Sequence, residues 1–397
     1  LATALGGDYF KYAATVDKDP DLAAFFATPH GTAIKEVADK IRAEYLRRIA
    51  TGVLVIGRRA AFKWPKEGVQ YGTSRGELYA YDRETRRYLR LTHTEHQVAA
   101  FVRAPSGSEV TVFGFDKIDR AKGQDVTPLV NRGWLQVLDK DWAPGRRVSL
   151  GSAREVHIGY AAGDQLLVAT APASGRWGIG AATISSLDKS TGKLTKTKTD
   201  MPATRVIFSL EEGRLVRPAD GVKAAWAGEP PTSPTLGIEG GAQIAVPESG
   251  AAAQSTVSLS PDKTRLAFAT AVDPCAKDAS PSLYIADTKT GALKHLLTSK
   301  SRFITRWIDA TTLAYEDGDG AIRLWDAASG RESMKLANPT GIALDVLSLA
   351  PAPLCKGAPP AVDVGVGSGS DASPDDTAPP LPPEEPAPTG GPVTKPD

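Results

Sequence analysis

Apolar positions follow two rhythms along this chain, and the change between them falls near residue 52. Ile34, Val37, Ala38, Ile41, Tyr45, Leu46 and Ile49 recur at three- and four-residue spacings. That is the stripe of an amphipathic helix. Lys40, Arg42, Arg47 and Arg48 fall off the stripe. A shorter apolar turn over 21–26 ends at Pro29-His30-Gly31, and Thr32 stands where it can cap the longer helix, with Lys35 and Glu36 in its first turn. From Val53 the period becomes two. Strand-like runs fall at 53–62, 77–81, 98–103, 109–115, 134–138, 156–160, 165–170, 205–210, 256–259, 265–270, 282–286, 312–316, 321–325 and 343–349. Turn residues bound most of them. No second helical pattern interrupts the series, which excludes alternating β-α-β architecture and predicts an all-β fold.

The strands repeat as a unit. Five segments share one grammar of strand, Asp, a few polar or glycine residues, and a second strand. Their aspartates are Asp82, Asp139, Asp188, Asp287 and Asp326. An Asp carboxylate can accept from backbone N–H groups two or three residues on, and glycine accepts positive φ, so together they make a compact hairpin turn. Only the last three segments carry the glycine, as Gly192, Gly291 and Gly330. The wide gap between Asp188 and Asp287 predicts a degenerate unit there. Its inner hairpin is expected over 205–215 and a weakened outer one over 237–246. Five visible units and one hidden unit make six, with a unit length near that of a four-stranded propeller blade. The segment 342–349 is expected beside 53–62, sealing the ring.

Ser260-Pro261-Asp262-Lys263-Thr264-Arg265-Leu266-Ala267-Phe268 resembles the S-P-D-G-x-x-L-A-F stretch of TolB-type and WD-type propeller repeats, with Lys263 in place of the usual glycine. Thr288-Lys289-Thr290-Gly291 after Asp287 looks like the D-x-x-T-G hairpin of the same repeats, and Leu324-Trp325-Asp326 matches the "WD" ending. The close matches are confined to 255–335. The resemblance implies a β-propeller; with the unit count and the helical stripe, the expectation is an all-β fold of six four-stranded blades over 51–356, preceded by a helical segment over 1–50.

Composition narrows the functional classes. The chain has 47 basic and 46 acidic residues in 397, a net charge of +1. That balance gives no footing for nucleic acid as a partner. No apolar run is long enough to span a membrane as a helix. The last stretch, 357–397, is Pro-, Gly-, Asp- and Ser-rich, and reads as a disordered tail. The only two cysteines, Cys275 and Cys355, suit one disulfide in an oxidising compartment. Leu1-Ala2-Thr3-Ala4-Leu5 is compatible with the end of a cleaved leader or with an arbitrary start.

Candidate chemistry is sparse. His93-Thr94-Glu95-His96 invites a metal reading, but the segment links two strands and reads first as a surface loop. Asp17-x-Asp19-x-Asp21 opens like a calcium loop, yet Thr28 stands where the bidentate acid belongs. Asp317-Gly318-Asp319-Gly320 reads as a hairpin turn. No nucleophile elbow, zinc-protease motif, phosphate loop or dinucleotide fingerprint occurs. The seven tryptophans do not recur at one blade position, so they read as packing aromatics. The expectation is therefore a protein without catalytic, metal or cofactor residues. It would bind a protein partner through its loops, in the periplasm or at the cell surface. The alternatives are a structural subunit of a cell-envelope complex, or a propeller enzyme acting on sugars or using a quinone.

Overall fold

The computed structural model describes residues 19–58, 62–63, 70–73, 76–120, 128–153, 155–171, 182–201, 204–209, 214–216, 221–227, 232–247, 250–272, 280–299, 303–316, 321–336, 342–343 and 348–349. The chain divides into two compact units, Leu1–Pro353 and Leu354–Asp397, and every described residue belongs to the first. Cys275, Cys355, the Asp317–Gly320 turn and the tail lie outside the described residues.

Two helices open the described chain. Helix α1 spans Pro20–Phe26, and Asp19, the middle residue of the calcium-like run, caps it by accepting from the N–H groups of Asp21 and Leu22. Helix α2 spans Pro29–Ala50, and its cap is Thr28 rather than Thr32. Pro29 at the first helical position already has the φ a helix needs and lacks an N–H that would go unpaired. Thr28 Oγ1 accepts from Gly31 N at 3.0 Å. The Thr32 hydroxyl instead donates back to the carbonyls of Phe26 and Thr28. No described helix is long and apolar enough to cross a membrane.

The rest is antiparallel β-structure, with five four-stranded meanders among the described residues. The first sheet runs Ile342–Ala343, Val53–Arg58, Gly76–Asp82, Arg87–Arg90. The second runs Val98–Arg103, Val110–Arg120, Pro128–Leu138, Val148–Ala153, and touches the first through the pair Gly76 and Val98. The third contains Glu155–Ala161, Gln165–Ala171, Thr183–Asp188 and Lys193–Lys196. The fourth contains Ser258–Leu259, Arg265–Ala269, Ser282–Asp287 and Leu293–Thr298, and the fifth Ile304–Trp307, Thr312–Glu316, Ile322–Asp326 and Arg331–Lys335. The first sheet joins the two ends of this unit, because Ile342 and Ala343 pair with Gly57 and Ile56. A second such join pairs Leu349 and Ser348 with Gly72 and Thr73.

The segment expected to form a separate degenerate unit behaves differently. Thr204–Ser209 and Arg214–Val216 do form a hairpin. That hairpin pairs with Glu155–Ala161 and widens the third sheet to six strands. The innermost strand of a meander otherwise presents a row of unpaired N–H and C=O groups, and a strand laid along it satisfies them. The outer part of the expected unit is reduced to short pairs: Val222–Lys223 with Thr235–Ile238, and Thr235–Ile238 with Ile244–Ala245.

Successive residues of one strand enter different cores. Leu54 and Ile56 join the cluster shared with the second and third sheets, while Val53 and Val55 join Ala314, Ile322 and Leu324 of the fifth. In the fourth sheet, Leu266 and Phe268 face Leu236 and Ile244, while Ala267 packs with Trp307 and Leu313. Each fully buried aliphatic or aromatic side chain contributes about 1.5–3 kcal/mol, so double-faced burial is the main stabilising term.

Gly114 shows how tightly the second sheet is filled. A Cβ at that position would lie 2.2 Å from Trp134 Cζ2 and 2.6 Å from the Gln97 carbonyl oxygen. Gly114→Ala is therefore expected to cost about 1–3 kcal/mol, read as a lower urea midpoint with an unchanged slope.

Candidate functional site

Within an antiparallel meander, connections after the first and third strands lie at one end and those after the second and fourth at the other. All five singled-out aspartates close a third-to-fourth-strand turn, so they share one end of their sheets. Asp82 Oδ1 accepts from Glu84 N, and Asp139 Oδ1 from the N–H groups of Asp141 and Ala143. Asp188 Oδ1 accepts from Ser190 and Thr191, Asp287 Oδ1 from Lys289 and Thr290, and Asp326 Oδ1 from Ser329 at 2.6 Å. Gly192, Gly291 and Gly330 take φ near +70°. In the first two turns, which lack a glycine, Arg86 and Trp142 adopt the left-handed backbone instead, at φ 58° and 59°. Lys263 does the same at φ 60° in the Ser-Pro-Asp turn.

Helix α2 is tied to this Asp-turn end. Arg47 bridges Glu44 and Glu84 at 2.8 Å each, and Arg48 reaches Glu44 at 2.8 Å and Asp82 at 3.4 Å. The two arginines hold the Glu44 carboxyl down to about 2, with the Arg47 hydrogen bond the largest cause. Ile49 is buried and Tyr45 and Leu46 pack beside it on the core.

The opposite end carries the longer connections: 59–75, 121–127, 172–182 and 270–281 leave the second strands of four sheets there. Loops concentrate binding when a rigid scaffold positions them. One loop of this end is described throughout, and it is built around a carboxylate. Glu77, at the start of the third strand of the first sheet, is fully buried. Its Oε1 accepts from Thr94 N at 2.7 Å, His96 N at 2.9 Å and Arg90 Nη2 at 2.9 Å. Its Oε2 accepts from the hydroxyls of Thr92 and Thr94. A buried carboxylate is tolerated when its lone pairs are met and a cation balances it. Here both conditions fix the loop over residues 91–97.

That loop is strained. Glu95 and His96 are consecutive non-glycine residues in the left-handed region, at φ 58° and 61°. Each costs about 1–2 kcal/mol, offset by the Glu77 bonds on either side. The outcome is an ordered loop with Thr94 buried and His93 and Glu95 exposed. Among the described residues, no group of three His, Cys, Asp or Glu side chains is placed to hold a metal. His93 is exposed and His96 half-buried on this loop.

Further inside, Arg306 of the fifth sheet lies 4.3 Å over the Phe101 ring of the second sheet and donates from Nη1 to Leu54 O of the first at 3.3 Å. One cation thereby joins three sheets at their inner strands. Of the tryptophans, Trp134, Trp142 and Trp307 are buried in apolar clusters. Trp226 and Trp325 pack beside others, while Trp64 and Trp177 lie outside the described residues.

No protein-family model matches the chain, and no curated protein matches it. Among solved structures it is similar to tricorn protease, at 14% identity and a TM-score of 0.41, over 72% of this chain and 26% of that one. It is also similar to TolB from Acinetobacter baumannii, at 13% identity and a TM-score of 0.37, over 80% of this chain and 72% of that one. The chain thus spans about a quarter of the length of the protease. Similarity at this level assigns neither a family nor an activity.

Two outcomes follow from the site geometry. Glu77→Gln keeps the shape but loses the charge-assisted bonds, each worth about 1.5–3 kcal/mol. Amide exchange at Thr94 and His96 is expected to rise well before global unfolding. Hydrogen bonds also depress the Asp-turn carboxyls: the Ser190 hydroxyl for Asp188, the Thr290 N–H for Asp287 and the Ser329 N–H for Asp326. For Asp82, desolvation opposes the shift but the Thr85 hydroxyl and backbone bonds outweigh it. A folded pKa below the unfolded value gives stability above about pH 4 that is lost as pH falls through that range. Thermal melts from pH 6 to pH 2 should show Asp287→Asn losing less on acidification than the wild type.

Proposed function

We propose that the protein is a non-catalytic scaffold, a six-bladed β-propeller over 51–356, that binds a protein partner through its loop-rich end. Five blades correspond to the five meanders, and the sixth to the shortened strands between 222 and 253. The helical segment over 1–50 braces the opposite end, and the Pro-rich tail over 357–397 acts as a spacer. The reading includes export to the periplasm or cell surface, with Cys275 and Cys355 bridged as an oxidising compartment allows.

One observation carries the binding role. Glu77 is buried to hold a strained loop that presents His93 and Glu95 at the surface. Strain of this kind persists where the surroundings over-determine it, and it clusters at binding and switch positions. An ordered loop also loses little entropy on docking, which favours affinity.

A photo-reactive residue placed at Glu95 and, separately, at Ser329 of an Asp turn distinguishes the two ends in the source cell. Cross-links to one protein species from position 95, with none from 329, are expected. Cross-links from 329 alone, or turnover of a substrate with no cross-link from either site, would overturn the assignment.

A further inference from the structure

The outer edge of a sheet is an open row of backbone N–H and C=O groups, which proteins blunt with bulges, engaged charges or cover. The fourth strands of this fold differ in how that is done. In the second, fourth and fifth sheets the register of the outermost pair shifts, between Gly133 and Trp134, Leu283 and Tyr284, and Leu324 and Trp325. The first sheet is regular there, but Arg90 of its outer strand is engaged by Glu77 at 2.9 Å. The third sheet is regular too: Asp188, Leu187, Ser186 and Ser185 stand opposite Lys193, Leu194, Thr195 and Lys196 without a shift. Among the described residues, no strand pairs with the other side of Lys193–Lys196.

Register decides which groups face outward. Thr197 N donates to Ile184 O at 2.9 Å, so Thr197, Thr195 and Lys193 turn their backbone groups into the sheet. Leu194 and Lys196 turn theirs to the open side. Side chains divide by face: Leu194 packs on the large core cluster, Lys196 follows on the same face, and Lys193 and Thr195 take the other.

The edge is also of one sign. Residues 189–199 hold four lysines and no acid. Lys189 is engaged by Glu109 and by the Asp164 carbonyl. Lys193, Lys196 and Lys198 are exposed, and among the described residues no acid pairs with them. Asp188 is turned in on its own loop, where it accepts from Ser190 and Thr191. Arg146 of the second sheet adds a further cation at this turn, since a Cβ on Gly192 would lie 3.9 Å from its Cδ. A second copy laid along this strand would bring the same lysines alongside, and like charges across a pair of strands repel. An extended acidic segment meets both demands: its backbone fills the open row, and its carboxylates stand beside the lysines.

We propose that the open edge of Lys193–Lys196 is a docking site for an extended acidic segment of a partner protein, which adds to the third sheet as one more strand. The site does not depend on the role assigned to the 91–97 loop.

The probe is a fluorescent peptide of five Thr-Glu repeats, titrated with the full chain at low salt. It is expected to bind at least tenfold more tightly than five Pro-Glu repeats, which carry the same charge but lack half of the N–H donors. Lys196→Glu combined with Lys198→Glu is expected to weaken the Thr-Glu peptide at least tenfold at an unchanged melting temperature. In the complex, amide exchange is expected to slow at Leu194 and Lys196 and to stay as it was at Thr195, whose N–H already bonds within the sheet. Absence of Thr-Glu binding, equal binding of the two peptides, an unaffected double variant, or unchanged exchange at Leu194 and Lys196 would overturn the proposal. Self-association of the free chain that protects the same two amides would also overturn it, by placing a second copy on the edge.

Discussion

Burial of both faces of each sheet is the constraint from which most of this structure follows. A strand in such a sheet cannot alternate apolar with polar residues, because each face meets another layer. Val53-Leu54-Val55-Ile56 is apolar throughout for this reason, and its successive side chains divide between two cores. The fourth sheet repeats the arrangement with Leu266-Ala267-Phe268-Ala269. Each sheet is then stable only beside its neighbours. The terminal strand Ile342–Ala343, paired with Val53–Arg58, links the end of the series to its beginning. Arg306, spanning three sheets, adds a polar tie at the inner strands.

The inner strands of these sheets are legible in the sequence because burial writes itself as apolar runs. Residues 98–103 and 312–316 coincide with strands at both ends. The fourth strand of each sheet is not legible. Arg87–Arg90 is mostly half-buried and Lys193–Lys196 and Arg331–Lys335 are largely exposed, and none of the three carries an apolar run. They are strands because the Asp turn returns the chain alongside its predecessor. Glycine is an equally partial signal, since Arg86 and Trp142 reach the left-handed region without it. Thr28 lost to Thr32 as a cap in the sequence pattern because Pro29 reads as a stop, whereas at a first helical position it is a start.

The functional features are the least legible, for a related reason. Nothing in Gly76-Glu77-Leu78 marks Glu77 as buried, since its partners lie between 13 and 19 residues away and meet it only after the hairpin forms. The His93-Thr94-Glu95-His96 run drew notice for its histidines, but the residue that gives the loop its shape is Thr94, which uses both N–H and hydroxyl on the carboxylate. Side-chain chemistry exposed on a loop and side-chain chemistry that builds the loop look alike in one dimension.

Where the two-faced rule fails, the failure has a direction. Glu155–Ala161 alternates buried Glu and His with buried Val, Ile and Tyr. The next hairpin, Thr204–Ser209 with Arg214–Val216, pairs onto this strand. A carboxylate and an imidazole on a face that could have been aliphatic forgo several kcal/mol of burial. The bond between His157 Nε2 and Glu155 Oε2 recovers only part, because His157 Nδ1 remains unmet. A fold stabilised by matched apolar faces tolerates one such face only if the other contacts of the sheet suffice. The third sheet has that reserve in Tyr160, whose hydroxyl meets Thr111, and in the cluster behind it. The polar face is thus a local cost carried by a well-packed opposite face.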